Sequence, residues 1–96
     1  MPIWGGLSTN VLEISNSFDN LIVRGGGVTT FIFPSSLTGG INTIVDFNPY
    51  EGDVLDLDGQ TYVTVISTRG VQLFLSGGAV VLLEGIFIFF DTWVVT

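Results

Sequence analysis

The sequence predicts a small all-β domain, and three observations carry that prediction. Helix signals are almost absent, and Val, Ile, Thr and Phe come in short runs instead. Gly, Asn, Ser and Asp interrupt these runs at the spacing expected of strands joined by turns. The 96 residues leave room for one core and no second domain, so residues 1–96 are read as a single unit.

In chain order, strands are expected near Val11–Ile14, Asn20–Arg24, Thr29–Phe33, Asn42–Phe47 and Val54–Leu57. Further strands are expected at Thr61–Thr68, Val71–Leu75, Ala79–Glu84, Ile86–Phe90 and Thr92–Val95. Two regimes are visible. Up to Leu57 the breaks are rich in Gly and Asn, and Ile14, Val23 and Ile32 recur nine positions apart. Nine is the period of a parallel β-roll turn. After Gly59 the breaks tighten to Ser67-Thr68-Arg69-Gly70, Ser76-Gly77-Gly78 and Gly85, which suit antiparallel hairpins. The expected architecture is therefore roll-like or sandwich-like: a Gly-rich, parallel first half closed by an antiparallel meander.

The organising stretch is Gly39 to Leu57. Asn48-Pro49 starts a turn, because proline fixes its own φ and moves the residue before it out of the helical region. Gly52 lets the chain reverse. The pattern Gly40, Asn42, Ile44, Asp46, Phe47, then Gly52, Asp53, Leu55, Asp56, Leu57, resembles the C-terminal module of RTX-type secreted proteins. Upstream, Gly25-Gly26-Gly27-Val28-Thr29-Thr30-Phe31-Ile32-Phe33 looks like a worn copy of that family's glycine-rich repeat. The resemblance spans roughly the middle two thirds of the chain. It implies a cap on a parallel β-roll, next to a type I secretion signal, folding outside the cell with calcium. The chain departs from the family pattern at Arg24, Thr29 and Asn42, where the family has Gly, Asp and Asp. At least one stacked calcium site is lost with these changes. The end of the chain, Phe90 to Thr96, resembles the acidic-then-apolar tail of type I secretion substrates, and a terminal strand reads the same way.

Composition excludes more than it identifies. Nine acids stand against Arg24 and Arg69, for a net charge of −7, and there is no Lys, His or Cys. Nucleic-acid binding needs basic residues to neutralise phosphates, so that class is excluded, and anionic lipid is disfavoured likewise. Disulfides and Cys-ligated metals are excluded too. The first residues, Met-Pro-Ile-Trp-Gly-Gly, lack the basic and apolar regions of a secretory signal. Ala79 to Phe90 is too short to span a bilayer as a helix. Without His, Cys or Lys, most general-base and nucleophile arrangements cannot be built, so no catalytic residues are assigned and no enzyme is expected.

The acids cluster: Asp46, Glu51, Asp53, Asp56 and Asp58 lie in or beside the central stretch. Asp46, Asp53, Asp56 and Asp58 are candidate calcium ligands, since hard cations want carboxylate and carbonyl oxygens from a Gly-bearing turn. A solvated acidic turn, with Asp46 capping it, accounts for the same residues. No other cofactor is implied. The triple glycine reads as a tight roll corner rather than a phosphate loop, because no helix follows it.

Only 11% of residues are charged while 47% are hydrophobic. So little charge leaves part of the surface to be covered by another chain. Val80–Leu83 and Ile86–Phe90 are apolar on both faces, and such strands are buried on both. Trp4, Phe87, Phe89, Phe90 and Trp93 are the candidate interface residues. For Trp4 and Trp93 the alternative is sealing the ends of the roll. The expected function is structural: a small β subunit that self-associates and decorates or cements a virion capsid or a surface layer. The partners are itself and that assembly, and the place is a virion or the cell exterior. The alternatives are the calcium-dependent secretion module and a carbohydrate-binding β-module, which would present Trp4 or Trp93 on a flat face.

Overall fold

The computed structural model describes residues 9–23 and 25–95 in full and the backbone of residues 2–4. The chain is all-β. Its first strands alternate between two facing sheets: β1 (Pro2–Trp4), β3 (Asn20–Val23) and β5 (Ile41–Ile44) lie in one, and β2 (Asn10–Glu13), β4 (Thr29–Ile32) and β6 (Val54–Asp56) in the other. Within each sheet these strands pair in parallel. That is a roll. Three further strands, β7 (Tyr62–Ile66), β8 (Gly70–Leu75) and β9 (Val80–Glu84), form an antiparallel meander. It docks onto the first sheet when β9 pairs in parallel with β5. The last strand, β10 (Val94–Val95), crosses to the other sheet and pairs with β6. The sheets are thus ordered β1-β3-β5-β9-β8-β7 and β10-β6-β4-β2.

Alternation along each strand decides what fills the space between the sheets. Ile22, Ile44, Leu73 and Leu83 point inward from one side, and Phe31 and Leu55 from the other, all with no exposed surface. Each such side chain contributes about 1.5–3 kcal/mol by leaving water.

Expectation and structure differ in four places, the first being β1, which no expected strand covered. The nine-residue recurrence is not the coil repeat: Asn10 pairs with Thr29, 19 positions on, and Ile14 is core while Val23 and Ile32 are only half-buried. Ile86–Phe90 is not a strand. Gly85, with φ 82°, turns the chain out of the sheet there, and single residues then dip into the core. The expected Asn48–Gly52 turn is present and holds one 3-10 turn at Pro49–Glu51, capped by the Asn48 side chain, which accepts from the Tyr50 N–H at 3.2 Å. A second 3-10 turn, Asp91–Trp93, stands where a strand start was expected. Between β6 and β7, Asp58 and Gly59 both have positive φ (52° and 76°), the turn geometry that an Asp-Gly pair favours.

Candidate functional site

Consider the clustered acids first. In sequence they converge; in space they spread along the corners of the roll, and Asp46, Asp53 and Asp58 each hold one coil to another. Asp46 Oδ2 accepts the Gly25 N–H at 3.1 Å. Asp53 is buried and uses both oxygens, Oδ1 taking the Thr29 N–H at 2.8 Å and Oδ2 the Asn48 N–H at 2.9 Å. Asp58 Oδ2 accepts both the backbone N–H and the hydroxyl of Ser35 at 3.0 Å. The Ser35 N–H, then its hydroxyl, lower the Asp58 carboxyl below its ordinary value. Asp56 Oδ1 accepts the Asp58 N–H at 3.0 Å, inside the turn. Outside the predicted set, Asp19 takes the Ile41 N–H at 2.8 Å. Among the described residues, no group of three or more acids forms a metal-holding cluster. Three of the four candidate calcium ligands, Asp46, Asp53 and Asp58, are therefore corner staples that accept backbone N–H groups, and Asp56 caps its own turn.

Asn42, where the resembled family has Asp, has its own structural logic. Asn20 and Asn42 sit opposite each other on adjacent parallel strands, and both side chains are buried. The Asn20 amide donates to Asn42 Oδ1 at 2.8 Å and to the Phe18 carbonyl at 3.1 Å. The Asn42 amide donates onward to the Val80 carbonyl at 3.1 Å. This ladder ties β3, β5 and the start of β9 together. A carboxylate at position 42 would face the Val80 carbonyl with no proton to give. An amide donates and accepts at once, which an ionised carboxylate cannot.

The five candidate interface residues divide. Trp93 is half-buried at the hub of an aromatic cluster, its ring 5.4 Å from Phe89, 5.3 Å from Phe90, 6.0 Å from Phe47 and 6.3 Å from Tyr50. Phe89 packs against Tyr62 and the core. These two seal the end of the roll where the chain crosses between sheets. Phe87 and Phe90 stay outward, 53% and 48% exposed, with Ile88 beside them at 57%. The Trp4 side chain lies outside the described residues, as does Arg24. Under the cluster, the Tyr62 hydroxyl donates to Asp91 Oδ1. Burial, then that hydrogen bond and the Asp91 charge, push the phenol up to about 12.

The larger apolar surface was not singled out from sequence. On the outer face of the six-stranded sheet, Ile41, Val80, Phe74 and Val63 stand directly opposite one another across β5, β9, β8 and β7. This is an uncharged row across four strands. A second row, Leu21, Thr43, Leu82, Gln72 and Val65, runs beside it. Its centre is already dry, with Leu82 only 1% exposed, whereas Leu21, Ile41, Phe74, Val63 and Val65 are open to solvent. At one side Asp19, Leu21, Ile41, Thr43 and Arg69 line a shallow hollow of about 280 Å³. Arg69 there pairs with Glu84 at 2.6 Å. The signal for this face was the alternation in Val71–Leu75 and Thr61–Ile66. What hid it was that register alone decides which alternate residues line up.

No helix among the described residues is long and apolar enough to cross a membrane. Comparison with known proteins finds no matching family model, no matching curated relative and no matching solved structure.

Proposed function

We propose that this protein is a non-enzymatic structural subunit that covers the outer face of its six-stranded sheet by contact with copies of itself and with a larger ordered assembly. A capsid cement or decoration protein of a virion, or a surface-layer component, is the kind of role meant. The observation that carries the reading is the Ile41–Val80–Phe74–Val63 row. An apolar strip this broad, with no charge in it, is the composition of an interface core rather than of a wetted surface. Phe87, Ile88 and Phe90 supply a second exposed apolar site.

Static light scattering of the purified chain tests it. The wild type is expected above the monomer mass of 10.3 kDa. At tens of micromolar the double variant Ile41→Lys/Phe74→Lys, altered only at exposed positions, should be smaller than the wild type and no larger than a dimer while keeping its far-ultraviolet circular dichroism. A wild type that stays monomeric at tens of micromolar, or a double variant as large as the wild type, sinks the proposal.

A second reading, the calcium-dependent RTX-like cap and secretion module, draws support from the parallel two-sheet coil. The occupied corner carboxylates weigh against it. Melting with and without EGTA separates the two, because a calcium-built module loses much of its stability to the chelator and a cement subunit does not. A carbohydrate-binding role finds little support at Trp93, whose ring is packed among four other aromatic rings.

A further inference from the structure

The six-stranded sheet has two edges, β1, which is three residues long and carries Pro2, and β7. The hydrogen-bonding phase of β7 is set by the hairpin that follows. The Ser67 N–H donates to the Gly70 carbonyl at 2.9 Å and the Gly70 N–H to the Ser67 carbonyl at 3.3 Å, so these two form a hydrogen-bonded pair. Antiparallel pairs alternate between bonded and non-bonded. Val65 and Val63, opposite Gln72 and Phe74, therefore bond to β8. The backbone groups of Tyr62, Thr64 and Ile66 point out of the sheet instead.

We propose that two copies of the chain join through this edge, β7 against β7, antiparallel about a two-fold axis at Thr64. In that register Thr64 faces Thr64 and Tyr62 faces Ile66, so every residue with outward backbone groups meets another such residue. Each of these pairs exchanges two main-chain hydrogen bonds. Val63 then lies opposite Val65 on the outer face, where both are exposed, and the apolar rows of the two sheets run on into each other. The stretch is close to its own mirror in residue type: Thr61-Tyr62-Val63 precede Thr64, and Val65-Ile66-Ser67 follow it.

Charge selects the same edge. With a net charge of −7, most surfaces of two copies repel each other. From Gly59 to Leu83 the only charged residue is Arg69, and none of the nine acids falls in this stretch. The edges of the second sheet are guarded: β2 carries Glu13, and β10 has only two residues, preceded by Asp91. On β7 there is no charge and no proline, the usual devices against pairing.

This contact is edge-to-edge and separate from the face contact proposed above, so its test is run where that face is disabled. A five-residue edge makes a small interface, which calls for concentrations of roughly 100 µM. In the Ile41→Lys/Phe74→Lys background, sedimentation velocity should give twice the monomer mass. Adding Thr64→Pro should halve it, since that proline deletes an outward N–H and no bond to β8. Val65→Lys should do the same by charge, and it decides the matter if the proline variant fails to fold. Because the chain has no cysteine, Thr64→Cys reads the register directly: it should cross-link on oxidation, while Val11→Cys, on the guarded β2 edge, should not. A monomeric background protein overturns the proposal, and would leave the edge to a strand from another protein. So would dimers that survive Val65→Lys, or equal cross-linking at both cysteines.

Discussion

Asn42 shows how one side chain decides whether a coil stacks. It accepts from Asn20 and donates to the Val80 carbonyl, both in the dry interior. Asn42→Asp keeps the size and the first bond but sets a carboxylate against a carbonyl. The expected cost is about 2–3 kcal/mol at pH 7 in urea unfolding, regained as pH falls towards about 4, because burial against a carbonyl raises the acid above its ordinary value and the protonated form can donate. Tyr62 makes a prediction at the other end of the pH scale. Its phenol is raised from the ordinary 10 to about 12 in the folded chain, so between those values the folded state holds a proton that the unfolded state has lost. The stabilisation is complete below pH 10 and drains away as pH rises towards 12. Tm of the wild type should fall over that window, and that of Tyr62→Phe should fall less.

At the scale of elements, the roll depends on coils approaching closely at their corners. Gly40 opens β5 with φ 89°, and a Cβ built there would lie 2.4 Å from the Phe18 carbonyl oxygen of the coil before it. That neighbour is backbone and cannot step aside. Gly40→Ala should therefore destabilise by at least about 2 kcal/mol in chemical denaturation, combining left-handed strain with the clash. Gly59 also has positive φ (76°) but open space around it, so Gly59→Ala pays for strain alone and should cost less. A reversed order would show that corner packing is not what these glycines serve. The C-terminal crossing works differently: Trp93 anchors it by ring contacts to Phe47 and Phe89, which joins the meander's exit to the second sheet.

For the whole molecule, the proposed association sets apolar attraction between copies against a shared negative charge. Surface charges on two copies are screened as salt shortens the Debye length from about 10 Å at 0.1 M to about 3 Å at 1 M. Raising sodium chloride over that range should increase the average mass by light scattering, because apolar contact is not weakened by screening. A decrease would mean that association rests on ion pairs instead. Asp19, Asp46, Asp53 and Asp58, four of the nine acids that set the net charge, also staple the coils.

Much of this was legible in the residues. Short β-branched runs and turn residues determine an all-β chain, and the change in break composition near Gly59 marks where parallel coils give way to a meander. Local chemistry settles these, because turns and alternation are short-range. The role of the acids was not legible: Asp46, Asp53 and Asp58 are near neighbours in sequence, yet each accepts from a different, distant N–H once the coils stack. The interface candidates divided for the same reason, Phe89 and Trp93 turning in while Phe87 and Phe90 turned out. Which apolar residues align into a face is a matter of register between strands far apart in the chain, as with Ile41 and Val80. A sequence sets what each residue can do, and only the pairing of distant strands decides which of them stand together.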